Sequence, residues 1–137
     1  MINYIAHWDW ILTKSRGPIV ESIKDYEFRS ICPIDNKIML SKYYKESIDW
    51  EINRANSIGL NSLLKLIKIL RTLEDKSIVH IFTIKSGFIY IISKLFVKKH
   101  FKAILSVTGL GFLFSNNALA KILKTLLRPI FFLCINK

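Results

Sequence analysis

The chain has 137 residues, of which 51% are hydrophobic and 23% charged, and its formal net charge is +11 at pH 7. That length predicts one domain with a substantial core, and the high apolar content excludes a mainly disordered chain. The excess of positive charge indicates an anionic partner, which could be nucleic acid, a phosphorylated substrate or an acidic membrane surface. A solvated basic surface without a partner is the alternative.

The cysteines and the apolar stretches indicate in which compartment of the cell the protein is expected. Cys32 and Cys134 lie far apart without the spacing of a metal site, which predicts reduced thiols in a cytosolic protein. No basic leader precedes the first apolar run, so no signal peptide is expected. The most apolar stretch, residues 112–135, is interrupted by Lys121 and Arg128 and is not predicted to span a bilayer.

The first half of the chain predicts three strands. Residues 2–6 are a short apolar run typical of a first strand, and Pro18 suits the first turn of the helix that follows. Alternation of apolar and polar residues predicts further strands at 26–31 and 48–52, with a short helix at 38–44 between them.

The clearest predicted helix follows the third strand. Asn61 or Ser62 can cap its start, and Lys65, Lys68 and Arg71 are expected to point outward. The apolar side chains expected to form its buried stripe are Leu60, Leu63, Leu64, Ile67 and Leu70.

The second half predicts a βαβ unit followed by one more helix. Strands at 77–83 and 101–107 flank a crossover helix at 88–99, and a last helix begins near Asn117. Five strands that alternate with helices predict an α/β domain with a Rossmann-like, doubly wound parallel sheet. The sequence ends in an apolar run at 129–135, which we expect a partner or further chain to cover.

Ligands of doubly wound sheets bind outside the carboxyl ends of the strands, so the residues that follow the strands are the candidate site. After the first strand, Asp9 could hydrogen-bond sugar hydroxyls or act as a base, and Trp10 offers an aromatic face for stacking. Arg16 is a candidate anion ligand. The alternative for Asp9 is a capping role for the segment that follows it.

The turn after the fourth strand carries a second candidate group. Lys85 could pair with a phosphate, and Thr83 or Ser86 could donate hydrogen bonds to it. The alternative is that Ser86 only caps the crossover helix.

The turn after the fifth strand begins at Thr108 and contains Gly109 and Gly111. This pattern superficially matches the dinucleotide fingerprint, but Phe114 stands at the third glycine and no acidic residue ends a strand about 20 residues later. A dinucleotide site is therefore excluded. The two glycines would still let the backbone approach a phosphate, and a plain tight turn is the alternative.

Other chemistries are not indicated by the sequence. It contains no P-loop, no Ser-His-Asp grouping and no GxSxG elbow. We expect His7 and His80 to be core or capping residues, and we predict no metal site. The lysines are dispersed over helix faces without the interleaved aromatics of an RNA-binding sheet, so nucleic acid is not the expected partner.

Four segments in this order carry a resemblance to a known family: Asp9-Trp-Ile-Leu-Thr-Lys-Ser-Arg16-Gly-Pro, Asn53-Arg54, Val79-His-Ile-Phe-Thr-Ile-Lys85 and Val107-Thr-Gly-Leu-Gly-Phe. Together they resemble the N-terminal domain of family 4 glycosyltransferases, which are retaining enzymes of the GT-B fold. The likeness is to the bacterial branch that extends lipid-linked saccharides for O-antigen, capsule or exopolysaccharide, and it covers nearly the whole chain.

The resemblance implies two Rossmann-like domains with the active site in the cleft between them. Residues 1–137 would be the acceptor-binding half, and the C-terminal nucleotide-sugar-binding domain, with its two glutamates eight positions apart, is absent from this sequence. The donor would be a co-substrate held mainly by that second domain, no cofactor is expected, and the chain alone is not expected to transfer sugar. The residues that would line the cleft are Asp9, Trp10, Arg16, Thr83, Lys85, Thr108, Gly109 and Gly111.

The resemblance also implies partners and a location. The acceptor would be a lipid-linked saccharide, a separate polypeptide could carry the donor domain, and the chain would be cytoplasmic and peripheral on the inner face of the cytoplasmic membrane. The basic faces of residues 88–99 and 117–128 would contact the anionic membrane, at about 1 kcal/mol per well-placed cation. The alternative from another class is a non-catalytic basic α/β module that binds phosphorylated ligands or nucleic acid.

Overall fold

Strands and helices alternate along the chain in a computed structural model, which describes residues 1–52 and 59–107. All of these elements belong to one compact unit, Met1–Ser106, and a π-helical segment at Ile11–Arg16 runs directly into the first α-helix. The elements are β1 Ile2–Ile5, α1 Gly17–Ser22, β2 Phe28–Cys32, α2 Lys37–Tyr43, β3 Glu46–Asp49, α3 Leu60–Thr72, β4 Ile78–Phe82, α4 Ile84–Leu95 and β5 Lys102–Ser106.

The five strands form one sheet in which every neighbouring pair is parallel, in the order β3-β2-β1-β4-β5. The central strand β1 pairs with β2 on one side and with β4 on the other, so that Ile5 lies opposite both Ile31 and Ile81. This arrangement confirms the predicted Rossmann-like, doubly wound α/β fold.

Two helical layers cover the sheet. Alternate residues of a strand face opposite layers, so Ile5 and Ile81 join the core cluster that includes α3 and α4. Tyr4 and Phe82 join the cluster on the other face, where α1, α2 and the π-helical segment pack. The central strands are therefore buried on both sides, which is typical of parallel sheets.

The third strand begins two residues earlier than its alternation predicts. Backbone N–H groups of Lys45 and Trp50 donate to the carbonyls of Phe28 and Cys32, so the pairing with β2 is centred on β3 Glu46–Asp49. Trp50, the central residue of the strand predicted at 48–52, is fully buried just beyond the end of β3. Its size marked a core position rather than the middle of a strand.

Helix α3 confirms part of the predicted buried stripe. Ile67 and Leu70 are buried and Leu63 packs against the same core cluster, whereas Leu60 and Leu64 are 69% and 47% exposed. Leu66 and Ile69 are buried in addition, so the buried face is rotated from the predicted one. Gly59, not Asn61 or Ser62, occupies the N-cap position. Seven of the thirteen residues of this helix are apolar, more than the core-facing side holds, so their spacing alone does not fix the exact face.

Helix α4 begins at Ile84, immediately after β4, and not at Phe88 as predicted. The predicted turn around Gly87 is instead the first turn of the helix. A Cβ atom at Gly87 would lie 2.8 Å from Cδ1 of Leu105, so this glycine permits close packing of the helix on β5. The predicted helix near Asn117 and the apolar run at 129–135 lie outside the described residues.

Cys32 ends β2 and is fully buried, and burial raises the pKa of its thiol to about 12. The thiolate, which is the reactive form, is therefore scarce at pH 8. In a Cys134→Ser variant, we expect a disulfide reagent such as DTNB to modify the folded protein on the order of a thousandfold more slowly than the chain unfolded in urea. Equal rates in the two states would contradict the buried position of Cys32.

Candidate functional site

The order of the strands reverses between β1 and β4. The chain proceeds from β1 outward through β2 and β3, and then returns to β4 and β5 on the other side of β1. The loops that leave the carboxyl ends of β1 and β4 therefore diverge around a crevice, where open α/β sheets bind ligands. Residues 7–16 and 83–87, which contain most of the predicted site, follow these two strands.

A hydrogen bond crosses this crevice. Nδ1 of His7, after β1, lies 2.8 Å from Oγ1 of Thr83, after β4, and that hydroxyl lies 3.3 Å from Oγ of Ser86. His7 was expected to be a core or capping residue, and its position directly after β1 was the only sequence signal of this placement. The pair brings together residues that are 76 positions apart in the chain.

The backbone of Thr83 is strained. Its φ of 78° and ψ of 154° are unusual for a β-branched residue and cost about 1–3 kcal/mol. Three contacts hold it there: its N–H donates to the carbonyl of Ser106, its carbonyl accepts from the N–H of Gly87, and its hydroxyl meets His7. This conformation starts α4 directly at the sheet edge, and the Thr83 side chain does not cap the helix.

Arg16 lies at the end of the π-helical segment and extends over the carboxyl end of β4. Its Cζ atom is 4.8 Å from the centroid of the Phe82 ring, a cation–π contact. Its Nε atom is buried and has no hydrogen-bond partner. Among the described residues no carboxylate forms an ion pair with Arg16, although four other ion pairs are present.

His80 supplies no second positive charge beside Arg16. Burial lowers the pKa of the His80 imidazole, and the nearby Arg16 guanidinium lowers it further, so the ring is neutral at pH 7. Its Nε2 atom lies 2.7 Å from Oγ of Ser106, and its ring packs edge-on against Tyr4. The expectation of a core histidine describes this residue well.

Asp9 is 4% exposed. Its carboxylate contacts the loop after β2, and not the segment directly after Asp9 that the capping alternative predicted. Its Oδ2 atom accepts hydrogen bonds from the backbone N–H groups of Asp35, at 3.2 Å, and Asn36, at 3.0 Å. Asn36 is the N-cap residue of α2. The carboxylate therefore ties the loop between β2 and α2 to the end of β1.

The tryptophans on either side of Asp9 point outward. Trp8 is 43% exposed and Trp10 is 51% exposed, and their ring centroids lie 5.8 Å apart with the planes tilted by 34°. Large exposed indoles are uncommon on a protein surface without a partner. The aromatic face predicted at Trp10 is therefore accessible at this edge.

The other predicted site residues fall into two groups. Lys85 lies in the first turn of α4 and is half-buried, on the same sheet edge as Thr83. Thr108, Gly109 and Gly111 lie outside the described residues, so the contribution from the end of β5 stays a prediction.

Residues 1–52 and 59–107 contain no group of three or more His, Cys, Asp or Glu side chains arranged to hold a metal ion. None of the helices in this part of the chain has the length and apolar character needed to cross a membrane.

The fold and this edge define an α/β protein with a doubly wound sheet, in which a guanidinium lies over an aromatic ring beside the point where the strand order reverses. No protein-family model matches the chain, and comparisons with curated proteins and with solved structures return no significant match. Its function is therefore inferred from the site.

Proposed function

We propose that the chain is the acceptor-binding domain of a bacterial glycosyltransferase, and that the crevice between β1 and β4 binds the diphosphate of a lipid-linked saccharide. Arg16 is the observation that carries this proposal. A half-buried guanidinium with a buried, unpartnered Nε and no carboxylate partner among the described residues is costly for the fold. An anionic ligand would offset that cost.

The surroundings of Arg16 favour phosphate among anions. The contact with the Phe82 ring holds the guanidinium in place, and a held guanidinium can present two parallel N–H donors to a phosphate. Helix α4 starts at the same edge, and its twelve residues direct the positive end of the helix dipole there. Among the described contacts, the N-cap residue Thr83 leaves that end without a side-chain cap.

The saccharide part of the proposal rests on the sequence resemblance and on the exposed indole of Trp10. In a two-domain enzyme this half would hold the acceptor so that its hydroxyl faces a nucleotide-sugar in the second domain. Acceleration of sugar transfer would then come from positioning and from stabilisation of an oxocarbenium-like charge. The proposal places the protein at the inner face of the cytoplasmic membrane, where such acceptors are held.

Titration with farnesyl diphosphate, a soluble prenyl diphosphate, tests the site by calorimetry. We expect Arg16→Met to weaken binding about 30- to 100-fold, because charge-assisted hydrogen bonds of a guanidinium contribute about 2–3 kcal/mol. Arg16→Lys, which keeps the charge but loses the paired donors, should weaken binding about tenfold. Lys68→Met removes an exposed cation from α3 and serves as the matched control, with a change of less than about twofold.

Three results would count against the proposal. Equal affinities of the wild type and Arg16→Met would remove Arg16 from the site. Tighter binding of a single-stranded oligonucleotide than of farnesyl diphosphate would favour the alternative, a basic module for nucleic acid, which the net charge of +11 supports. Binding of inorganic phosphate as tight as that of farnesyl diphosphate would indicate a general phosphate module without a role for the lipid.

A further inference from the structure

An apolar patch lies on the same edge of the sheet as the crevice. We define it by three exposed side chains, Trp8, Trp10 and Ile38, of which Ile38 is 82% exposed. The two indoles are in contact with each other, at 5.8 Å between centroids. Three large apolar side chains clustered at one edge indicate an interaction surface.

The fold holds this patch in a defined shape. Asp9, which lies between the two tryptophans, accepts hydrogen bonds from the backbone of Asp35 and Asn36. Ile38 follows two residues later, in the first turn of α2. The buried carboxylate of Asp9 therefore ties the segment that carries the two tryptophans to the loop that leads into Ile38.

The charged residues beside the patch favour an anionic surface. Lys14 follows Trp10 by one helical turn, and Lys37 precedes Ile38; both are exposed. Asp35 is the exposed acidic residue nearby in the chain, and Asp9 is buried. Tryptophan and aliphatic side chains flanked by lysines are the residues that proteins place at the interface of an anionic bilayer.

A carbohydrate is a poorer match for this patch. Sugars need polar groups beside the aromatic face to bind their hydroxyls. Here Oδ2 of Asp9 already accepts two backbone N–H groups, and Oδ1 of Asn36 accepts the N–H of Met39. These oxygens serve the fold, which leaves the apolar and cationic groups to define the partner.

Of the two basic faces that the resemblance implied for membrane contact, the one at 117–128 lies outside the described residues, and the one at 88–99 is differently placed from this patch. Helix α4 runs away from the carboxyl edge, and near its end Nζ of Lys94 donates to the carbonyl of Val97. Lys99 donates to the carbonyls of Arg71 and Leu73. Both lysines therefore stabilise turns at the opposite edge of the sheet from the crevice.

We propose that Trp8, Trp10 and Ile38 insert into the interfacial layer of an anionic bilayer, with Lys14 and Lys37 at the lipid phosphates. This inference deepens the proposed function, because it places the acceptor crevice at the membrane surface. Arg16 is six residues after Trp10, at the end of the π-helical segment. An α-helix of that length would rise about 9 Å and a π-helix rises less, so a diphosphate at headgroup depth would lie within reach of Arg16.

Vesicles made of phosphatidylcholine and phosphatidylglycerol, without any saccharide lipid, test the patch with the full chain. Three tryptophans are present, and Trp50 is fully buried, so quenching by brominated lipid reports on Trp8 and Trp10. We expect quenching of the wild type and at least a tenfold weaker partition of a Trp8→Ala/Trp10→Ala variant in co-sedimentation. Lys14→Ser/Lys37→Ser should weaken partition about 30-fold at low salt, at about fivefold for each lysine near the surface.

Matched controls lie on other surfaces. Tyr26→Ala removes a 61% exposed aromatic side chain that precedes β2, at the opposite edge of the sheet, and Lys68→Ser removes an exposed lysine of α3. Both should change partition by less than about twofold, and circular dichroism melts should show that all variants fold.

Four results would overturn the inference. The first two are partition of the double tryptophan variant equal to that of the wild type, and absence of quenching by brominated lipid. The third is a dimer in the absence of vesicles that the tryptophan substitutions dissociate, which would assign the patch to a second copy of the chain. The fourth is fluorescence quenching by free saccharide without vesicle binding, which would assign the patch to a carbohydrate. Because the vesicles lack saccharide and farnesyl diphosphate is titrated without vesicles, this inference and the proposed function fail separately.

Discussion

Trp50→Ala is expected to lower the free energy of unfolding by about 3–5 kcal/mol, a large part of the stability of a domain this size. Trp50 has no exposed surface and packs in the core cluster with Leu66 and Leu70 of α3. Its Nε1 atom donates to the carbonyl of Ser62 at 2.9 Å, and Oγ of Ser62 donates to the carbonyl of Glu51 at 3.2 Å. The substitution would open a cavity and leave a buried carbonyl without its donor.

Urea unfolding followed by circular dichroism measures this effect. Trp50→Phe keeps most of the apolar volume and loses the N–H donor, so we expect a smaller loss of about 1–2 kcal/mol. Trp10→Ala, at a tryptophan that is 51% exposed, should change the free energy of unfolding by less than about 0.5 kcal/mol. If the Trp50 and Trp10 variants unfolded at the same urea concentration, the core described around Trp50 would be wrong.

Asp9→Ala is expected to lower the free energy of unfolding by about 2–4 kcal/mol, because it removes a buried carboxylate that accepts two backbone hydrogen bonds. The N–H groups of Asp35 and Asn36 would lose their charged acceptor. The loop that begins α2 would then be held less firmly, and Ile38 with it. We therefore also expect weaker partition of this variant into anionic vesicles.

Asp9→Asn separates the hydrogen bonds from the charge. The amide oxygen can still accept from the two backbone groups, so the expected loss is about 1 kcal/mol. Thermal and urea unfolding of the two variants measure the difference. If Asp9→Ala were as stable as the wild type, the carboxylate would not hold the loop. Asp9 would then be considered again as a residue that contacts a ligand, as the sequence predicted.

The strained conformation of Thr83 connects the fold to the crevice. A β-branched residue with φ of 78° persists only where several contacts determine it, and here the end of β5, the first turn of α4 and the side chain of His7 all do so. The result is a helix that starts at the sheet edge beside Arg16. Strain of this kind occurs often at ligand sites, which is consistent with the proposed phosphate site.

Much of the fold could be predicted from local patterns. Short apolar runs predicted β1, β4 and β5, and alternation of apolar and polar residues predicted β2, all close to their observed positions. Helix α2 was predicted to within a residue of its observed bounds. These elements are specified by residues within each segment, so no knowledge of the neighbours was needed.

Other features depended on packing between distant segments. The exact buried face of α3 is chosen by the sheet and by α4: Ile67 and Leu70 are buried as predicted, but Leu66 and Ile69 are buried in place of Leu60 and Leu64. The start of α4 depends on Gly87 fitting against Leu105. By local pattern alone, the residues around Gly87 could equally have formed the turn that the sequence predicted.

The candidate site shows the same division. Arg16 and Thr83 were predicted because they follow strands whose carboxyl ends meet at one edge of a parallel sheet. The contact of Arg16 with Phe82 and the hydrogen bond between His7 and Thr83 arise only when β1 and β4 are neighbours. The hydrogen bonds to the buried Asp9 carboxylate arise because β1 and β2 are neighbours.

The sequence by itself determined the α/β class and the number of strands among the described residues, because both follow from short-range periodicity. It also determined the edge on which polar and aromatic side chains gather, because the carboxyl ends of parallel strands lie at one edge of the sheet. Only the tertiary structure decided which of those side chains hold the fold and which face outward. Asp9 became a buried acceptor while its neighbours Trp8 and Trp10 remained exposed. The physical reason is that hydrogen bonding and burial depend on the partners that folding brings together, and those partners lie tens of residues away in the chain.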